Sequence, residues 1–197
     1  MRQTPRIPLL TQPFYFVRHG ETVSNLSGTI AGSADVPLTA RGRLQAQAAA
    51  AQLTSAGVTA IYSSALARAR DTADFIAHAL DLPVTVIPEL AERNWGELEG
   101  APRASRVRGI APRGAEEHHE FMQRVLRGLA QIDAGGLPLV VAHSGVFRVL
   151  CRVLGVVESE APVANASPLR FVPPAQPHLA WHIEMLQTGA DDAVTRD

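Results

Sequence analysis

Four apolar runs too short for helices, Phe14 to Val17, Ala60 to Ser63, Val84 to Ile87 and Leu137 to Ala142, punctuate this chain. The segments between them carry apolar residues every three or four positions. Few folds satisfy that alternation: strands joined through helical crossovers lie parallel in one sheet, with helices over both faces. The expected architecture is α/β, a three-layer α/β/α sandwich around a mostly parallel sheet. Thr39 is placed as the N-cap of a first long helix through Leu44, Ala48, Ala51, Gln52 and Leu53, stopped near Gly57. Ala65 to Leu80 sets Leu66, Ala69, Ala73 and Ile76 at helical spacing before Pro83, and Ala115 to Ile132 and Val146 to Leu154 read as further helices. Glu89 to Gly114 has no clean period and reads as loop, and a last strand is expected around Leu179 to Leu186. Residues 1–13 read as a flexible N-terminal arm. Residues 14–197 read as a single domain with a short cap near 97–119.

Composition narrows the function. Eighteen Lys and Arg against nineteen Asp and Glu leave a net charge of -1, so no global basic field marks a nucleic-acid binder, and any anion site must be local. A single cysteine, Cys151, excludes an internal disulfide framework and Cys-cluster metal sites; it is expected as a buried thiol, and a cytoplasmic location fits. No apolar stretch approaches the roughly 20 residues of a membrane span, and the first residues lack the apolar core of a secretion signal. No membrane partner is expected, and oligomeric state is not legible.

The unusual residues sit where strands end. Arg18, His19, Gly20, Glu21 and Thr22, with Asn25 beyond, follow the first run. Ser63, Ser64 and then Arg68 follow the second, and His143, Ser144 and Gly145 follow the strongest one. In open α/β sheets ligands bind beyond the carboxyl ends of strands, against the amides that open the following helices. Two histidines and two arginines meeting there suit a phosphoryl group. Guanidinium groups match its oxygens, one imidazole can attack phosphorus, and the other can donate as charge builds. Arginines and imidazolium supply the positive charge that magnesium supplies elsewhere, so neither metal nor cofactor is called for.

FVRHGETVSN at Phe16 to Asn25 resembles the signature of the histidine phosphatase superfamily, in the branch that includes cofactor-dependent phosphoglycerate mutases. The likeness continues through PLTARGRLQA (Pro37 to Ala46), SSALARARDTA (Ser63 to Ala73), LAERNWGELEG (Leu90 to Gly100), VVAHSGVFRVL (Val140 to Leu150) and NAS (Asn165 to Ser167). The resemblance implies that His19 becomes phosphohistidine, that Arg18 and Arg68 grip the phosphoryl oxygens, and that His143 completes the cradle. It further implies contacts from Asn25 and the Ser144 amide, and Glu92 as the acid that protonates the leaving group and then activates water.

Other readings compete. Glu89, Glu97 and Glu99 lie close to Glu92 in sequence. His118 and His119 point about 100° apart on a helix and read as solvated rather than as joint metal ligands. Trp95 is either loop packing or a substrate wall. Relatives often carry Gly-Glu-Ser where this chain has Gly114, Ala115, Glu116 and Glu117, and its cap is short, which favours water as acceptor. Arg103, Arg106, Arg108 and Arg113 cluster in that cap and are expected to make a positive rim if they face the pocket. The expected function is phosphomonoester hydrolysis of a small phosphorylated metabolite. The alternatives are phosphoglycerate mutase-type transfer and a non-catalytic phospho-ligand binding module. A serine hydrolase is disfavoured because Ala142 and Val146 replace the outer glycines of a nucleophile elbow around Ser144.

Overall fold

The computed structural model describes residues 7–107, 109–133, 135–157, 163–176 and 180–186. Strands β1 (Phe14–Arg18), β2 (Ala60–Ser63), β3 (Val84–Val86), β4 (Pro138–Ala142), β5 (Leu169–Val172) and β6 (His182–Met185) form one sheet in the order β3-β2-β4-β1-β5-β6. The four strands β3, β2, β4 and β1 are parallel, whereas β5 and β6 add on antiparallel, so the sheet is mixed. Strand β5 is the element the sequence hides. It lies between Pro168 and the pair Pro173 and Pro174, and those prolines read as a connection.

The helices are α1 (Val23–Leu26), α2 (Ala40–Leu53), α3 (Ala67–Leu80), α4 (His118–Leu129) and α5 (Ser144–Leu154). The two-residue period of the strands divides the core between them. Phe14, Phe16, Val140 and Ala142 pack under Phe121, Val125 and Leu129 of α4 and Val146, Leu150 and Cys151 of α5. Tyr15, Val17, Leu139 and Val141 pack under α2 and α3. Helix α2 turns inward a different side from the one that Leu44, Ala48 and Ala51 suggest. Gly42, Ala46, Ala49, Ala50 and Leu53 are buried while Leu44 is 65% exposed, because alanines on every side blur the apolar stripe. Helix α4 starts at His118 rather than at Ala115, where Glu117 and Glu120 close a capping box.

The part of the expected N-terminal arm within the described residues is packed, not frayed. Pro8–Thr11 forms a 3-10 turn, and Ile7 and Leu9 join the core beside Phe14 because both are apolar and adjoin β1. Residues 1–6 lie outside the described residues, as do Arg108 and Leu179. Among the described residues no helix is long and apolar enough to cross a membrane. Register then sets the site. Arg18 stands opposite Ala142 and Ser63 opposite Val141, so β1, β2 and β4 end at one level and deliver His19, Ser64 and His143 to the same rim.

Candidate active site

The His19 amide donates to the Ala142 carbonyl at 3.0 Å, extending the β1–β4 ladder one residue past the strand. Its ring Nδ1 lies 2.7 Å from the Gly20 carbonyl oxygen. A carbonyl only accepts, so Nδ1 carries the proton and Nε2 keeps its lone pair. The loop behind is fixed from three sides. Gly20 donates its amide to Thr72 Oγ1 at 3.0 Å, and that hydroxyl donates to the Arg68 carbonyl at 2.7 Å. Asn165 Nδ2 donates to the His19 carbonyl at 2.8 Å and to Asn25 Oδ1 at 3.2 Å. A Cβ at Gly20 would strike the Gly42 carbonyl, and one at Gly42 the Glu21 carbonyl, so the RHG and TARG strings meet backbone to backbone.

Near His19, three buried nitrogens have no partner among the described residues: Arg18 Nε, Arg68 Nε and His143 Nδ1. The rest of each group is tied down. Arg18 Nη1 donates to the Val163 carbonyl at 2.7 Å, and Arg68 spans the Gly32 and Ala34 carbonyls at 2.8 Å each. His143 Nε2 meets Ser64 Oγ at 2.8 Å. Leaving a buried polar group unsatisfied costs about 1–3 kcal/mol, and more when it is charged, so three such nitrogens near one ring are a cluster that a bound oxyanion could satisfy. Burial lowers the Arg18 pKa to about 10, with Arg103 adding to the shift, which still leaves it cationic at neutral pH. Burial, then Arg68, holds both His19 and His143 well below the ordinary imidazole range. Both rings are therefore neutral. Positive charge beside the two rings is supplied by Arg18 and Arg68.

Among the neighbouring carboxylates it is Glu92 that lines the cavity. Its Oε1 accepts the Arg93 amide at 2.9 Å, and its Oε2 accepts the Gly145 amide at 3.0 Å and the Ser144 hydroxyl at 3.3 Å. It thus sits at the N-terminus of α5, held by two backbone amides and a hydroxyl. Glu97 instead pairs with Arg113 at 3.2 Å, and Glu99 accepts from the amides of Ser33 and Trp95. The Glu92 loop is pinned from below. Arg124 meets both carboxylate oxygens of Glu116 at 2.8 Å and donates Nη1 to the carbonyls of Glu89 (2.7 Å) and Ala91 (3.0 Å). Glu116, which departs from the Gly-Glu-Ser pattern, therefore serves this brace.

The cavity is about 690 Å³, within the range of about 300–1,000 Å³ typical of small-molecule sites. Arg18, His19, Asn25, Arg68, Glu92 and Ser144 all line it, while His143 lies fully buried behind them. From the cap, Arg103 and Arg106 line the cavity, but Arg113 does not. Trp95 lies in the wall beneath the guanidinium groups of Arg93 and Arg106, at 4.6 and 4.5 Å. His118 and His119, read from sequence as solvated, are exposed and also line the cavity mouth. The sequence reading missed Thr72 and Arg124 as supports and named Gly145 only as a strand-end residue, and NAS was the available signal for Asn165. A neutral imidazole with a free Nε2, flanked by guanidinium donors and faced by a carboxylate, can exchange a phosphoryl group.

Residues 14–170 match the family described as Histidine phosphatase superfamily (branch 1). A protein of Yersinia enterocolitica named "Probable phosphoglycerate mutase GpmB" is 35% identical over 193 residues, covering 86% of this chain and 90% of its own length. Among solved structures, the Thermus thermophilus protein TTHB049 is 33% identical with a TM-score of 0.67, covering 80% of this chain and 92% of that one. The mycobacterial glucosyl-3-phosphoglycerate phosphatase Rv2419c, in complex with VO3, is 25% identical with a TM-score of 0.70. It covers 88% of this chain and 98% of its own.

Proposed function

This chain belongs to branch 1 of the histidine phosphatase superfamily, and from that premise we propose that it is a metal-independent phosphomonoester hydrolase working through phosphohistidine at His19. The observation that carries this reading is the set of unpartnered donors Arg18 Nε, Arg68 Nε and His143 Nδ1 around a ring whose Nε2 is free. Nε2 attacks phosphorus and the ester P–O bond breaks. Arg18, Arg68 and His143 hold the oxygens, and Glu92 gives its proton to the departing alkoxide. Water then attacks the phosphorus of phosphohistidine, Glu92 takes a water proton, and inorganic phosphate leaves with the His19 ring restored. Asn25 and the amide of Ser144 contribute secondary contacts. The two guanidinium groups meet a dianion without a cation, which is the ground for metal independence.

Hydrolysis is favoured over transfer to a bound acceptor by the cap. Its 3-10 turns, Gly96–Leu98 and Arg103–Ser105, and the exposed His118, His119 and Arg148 at the mouth leave water a path. The likeness to a protein named as a phosphoglycerate mutase supports the second reading, mutase-type transfer. Incubation with 3-phosphoglycerate and bisphosphoglycerate in the presence of a chelator separates them. Phosphate release outpacing isomerisation is the expected result, and the reverse makes the protein a mutase. No turnover over a broad phosphoester panel, with stoichiometric phosphopeptide binding, would make it a binding module. The substrate is a small phosphorylated metabolite, in keeping with a cytoplasmic protein.

A further inference from the structure

Two serines stand side by side where β2 ends, both 0% exposed, and their hydroxyl groups do different things. Ser63 Oγ donates to the Ser64 carbonyl at 3.0 Å, which takes up its one proton. The Ser64 amide donates to the Val141 carbonyl at 3.1 Å, carrying the β2–β4 ladder one residue past the strand and setting Ser64 level with His143. Its Oγ joins two helix starts. It accepts the Leu66 amide at 3.2 Å, two residues ahead of Arg68 on α3, and lies 2.8 Å from Nε2 of His143, the N-cap of α5.

A hydroxyl has one proton to give and lone pairs that accept. With the Leu66 amide on a lone pair, the Ser64 proton finds its acceptor among the described residues at His143 Nε2. Burial keeps the His143 ring neutral, so it has a single proton to place. The opposite polarity, Nε2–H donating to Oγ, would strand the hydroxyl proton in a site shut off from water. It would also leave Nδ1 with a lone pair that repels an oxyanion. We propose that Ser64 is a positioning residue: its hydroxyl donates to His143 Nε2 and so fixes the ring proton on Nδ1, the nitrogen that donates to the phosphoryl group. This role rests on the phosphohistidine reading above for what Nδ1 donates to, whereas the tautomer itself is a property of the resting protein.

Nitrogen-15 NMR of the His143 side chain reads that tautomer without turnover. Wild-type protein should carry the ring proton on Nδ1. Ser64→Ala should move much of the population to Nε2–H, whereas Ser63→Ala, which removes a hydroxyl of the same size next door, should leave the proton on Nδ1. Turnover should follow the tautomer: a ring competent for about a third to a tenth of the time lowers kcat for p-nitrophenyl phosphate about three- to tenfold in Ser64→Ala. In a His143→Gln background, where no ring remains to orient, the same substitution should cost less than about twofold. Four results would each overturn the role of Ser64: a wild-type ring protonated on Nε2, a tautomer unchanged by Ser64→Ala, the same redistribution in Ser63→Ala, or an undiminished loss in the His143→Gln background. The first needs no variant to fold. A wild-type protein with the proton on Nδ1 but no turnover removes the hydrolase reading alone, and an active one with the proton on Nε2 removes the role of Ser64 alone.

Discussion

The rings of His19 and His143 stand 5.2 Å apart, centroid to centroid, with their planes inclined at 55°. His143 is held by Ser64 through Nε2 while its Nδ1 has no partner. On the proposed route Nδ1 carries the ring proton, with Nε2 accepting from the Ser64 hydroxyl, and donates to the phosphoryl oxygens. Replacing His143 with glutamine should lower kcat for p-nitrophenyl phosphate by about 10²–10³, the usual effect of losing one preorganised donor. A loss below about fivefold would assign the ring to structure alone.

Glu92 and Gly145 form a second pairing with a kinetic signature. Glu92→Gln should slow esters with poor leaving groups far more than those with good ones, because only the former need a proton. Gly145→Ala should reproduce that pattern, since its Cβ would strike Glu92 Oε1 and crowd Phe121. The measurement is the slope of log kcat against leaving-group pKa. Equal slowing across the series would remove Glu92 as the acid.

Arg124 touches Glu92 only through its backbone, so its effect should be one of position. Arg124→Met should lower kcat for poor leaving groups about tenfold. It should also cost about 1–3 kcal/mol of stability by leaving the largely buried Glu116 without its partner. Adding Glu116→Gln should recover part of the stability but not kcat. Recovery of both would show that the brace merely holds the fold.

The two buried histidines also make stability depend on pH. Their folded-state pKa values are depressed, so below about pH 6.5 the unfolded chain binds protons that the folded chain refuses, and stability falls as pH drops through that window. Between pH 7.5 and 5.5 each ring contributes up to about 1.4 kcal/mol of loss. Urea unfolding at the two values should show the decline, and His143→Gln should show about half of the histidine contribution. An unchanged pH dependence in that variant would contradict a neutral, buried His143.

What the sequence disclosed follows from where the forces are local. Strands β1, β2 and β4 are legible because each is a short apolar run, and the positions of His19, Arg68 and His143 follow from strand ends and helix spacing. Strand β5 is not, because its place beside β1 depends on tertiary pairing that no flanking proline signals. Helix α2 is legible but its inward face is not, since Gly42 and the alanines gain their burial from close backbone approach rather than from hydrophobicity. Thr72 reaches Gly20 across 52 residues and Arg124 reaches Glu116 across 8, pairings that spacing does not indicate. Glu92 is picked out by family likeness, while the geometry that distinguishes it from Glu97 and Glu99 emerges only once α5 and the cap are in place.

Rapid-quench trapping with a radiolabelled phosphoester tests the nucleophile most directly. Label should appear within the first turnover on His19, stable to base and lost in acid, and His19→Ala should show neither label nor turnover. Sustained hydrolysis with no label on that ring, or label that persists in the alanine variant, would contradict a phosphohistidine route.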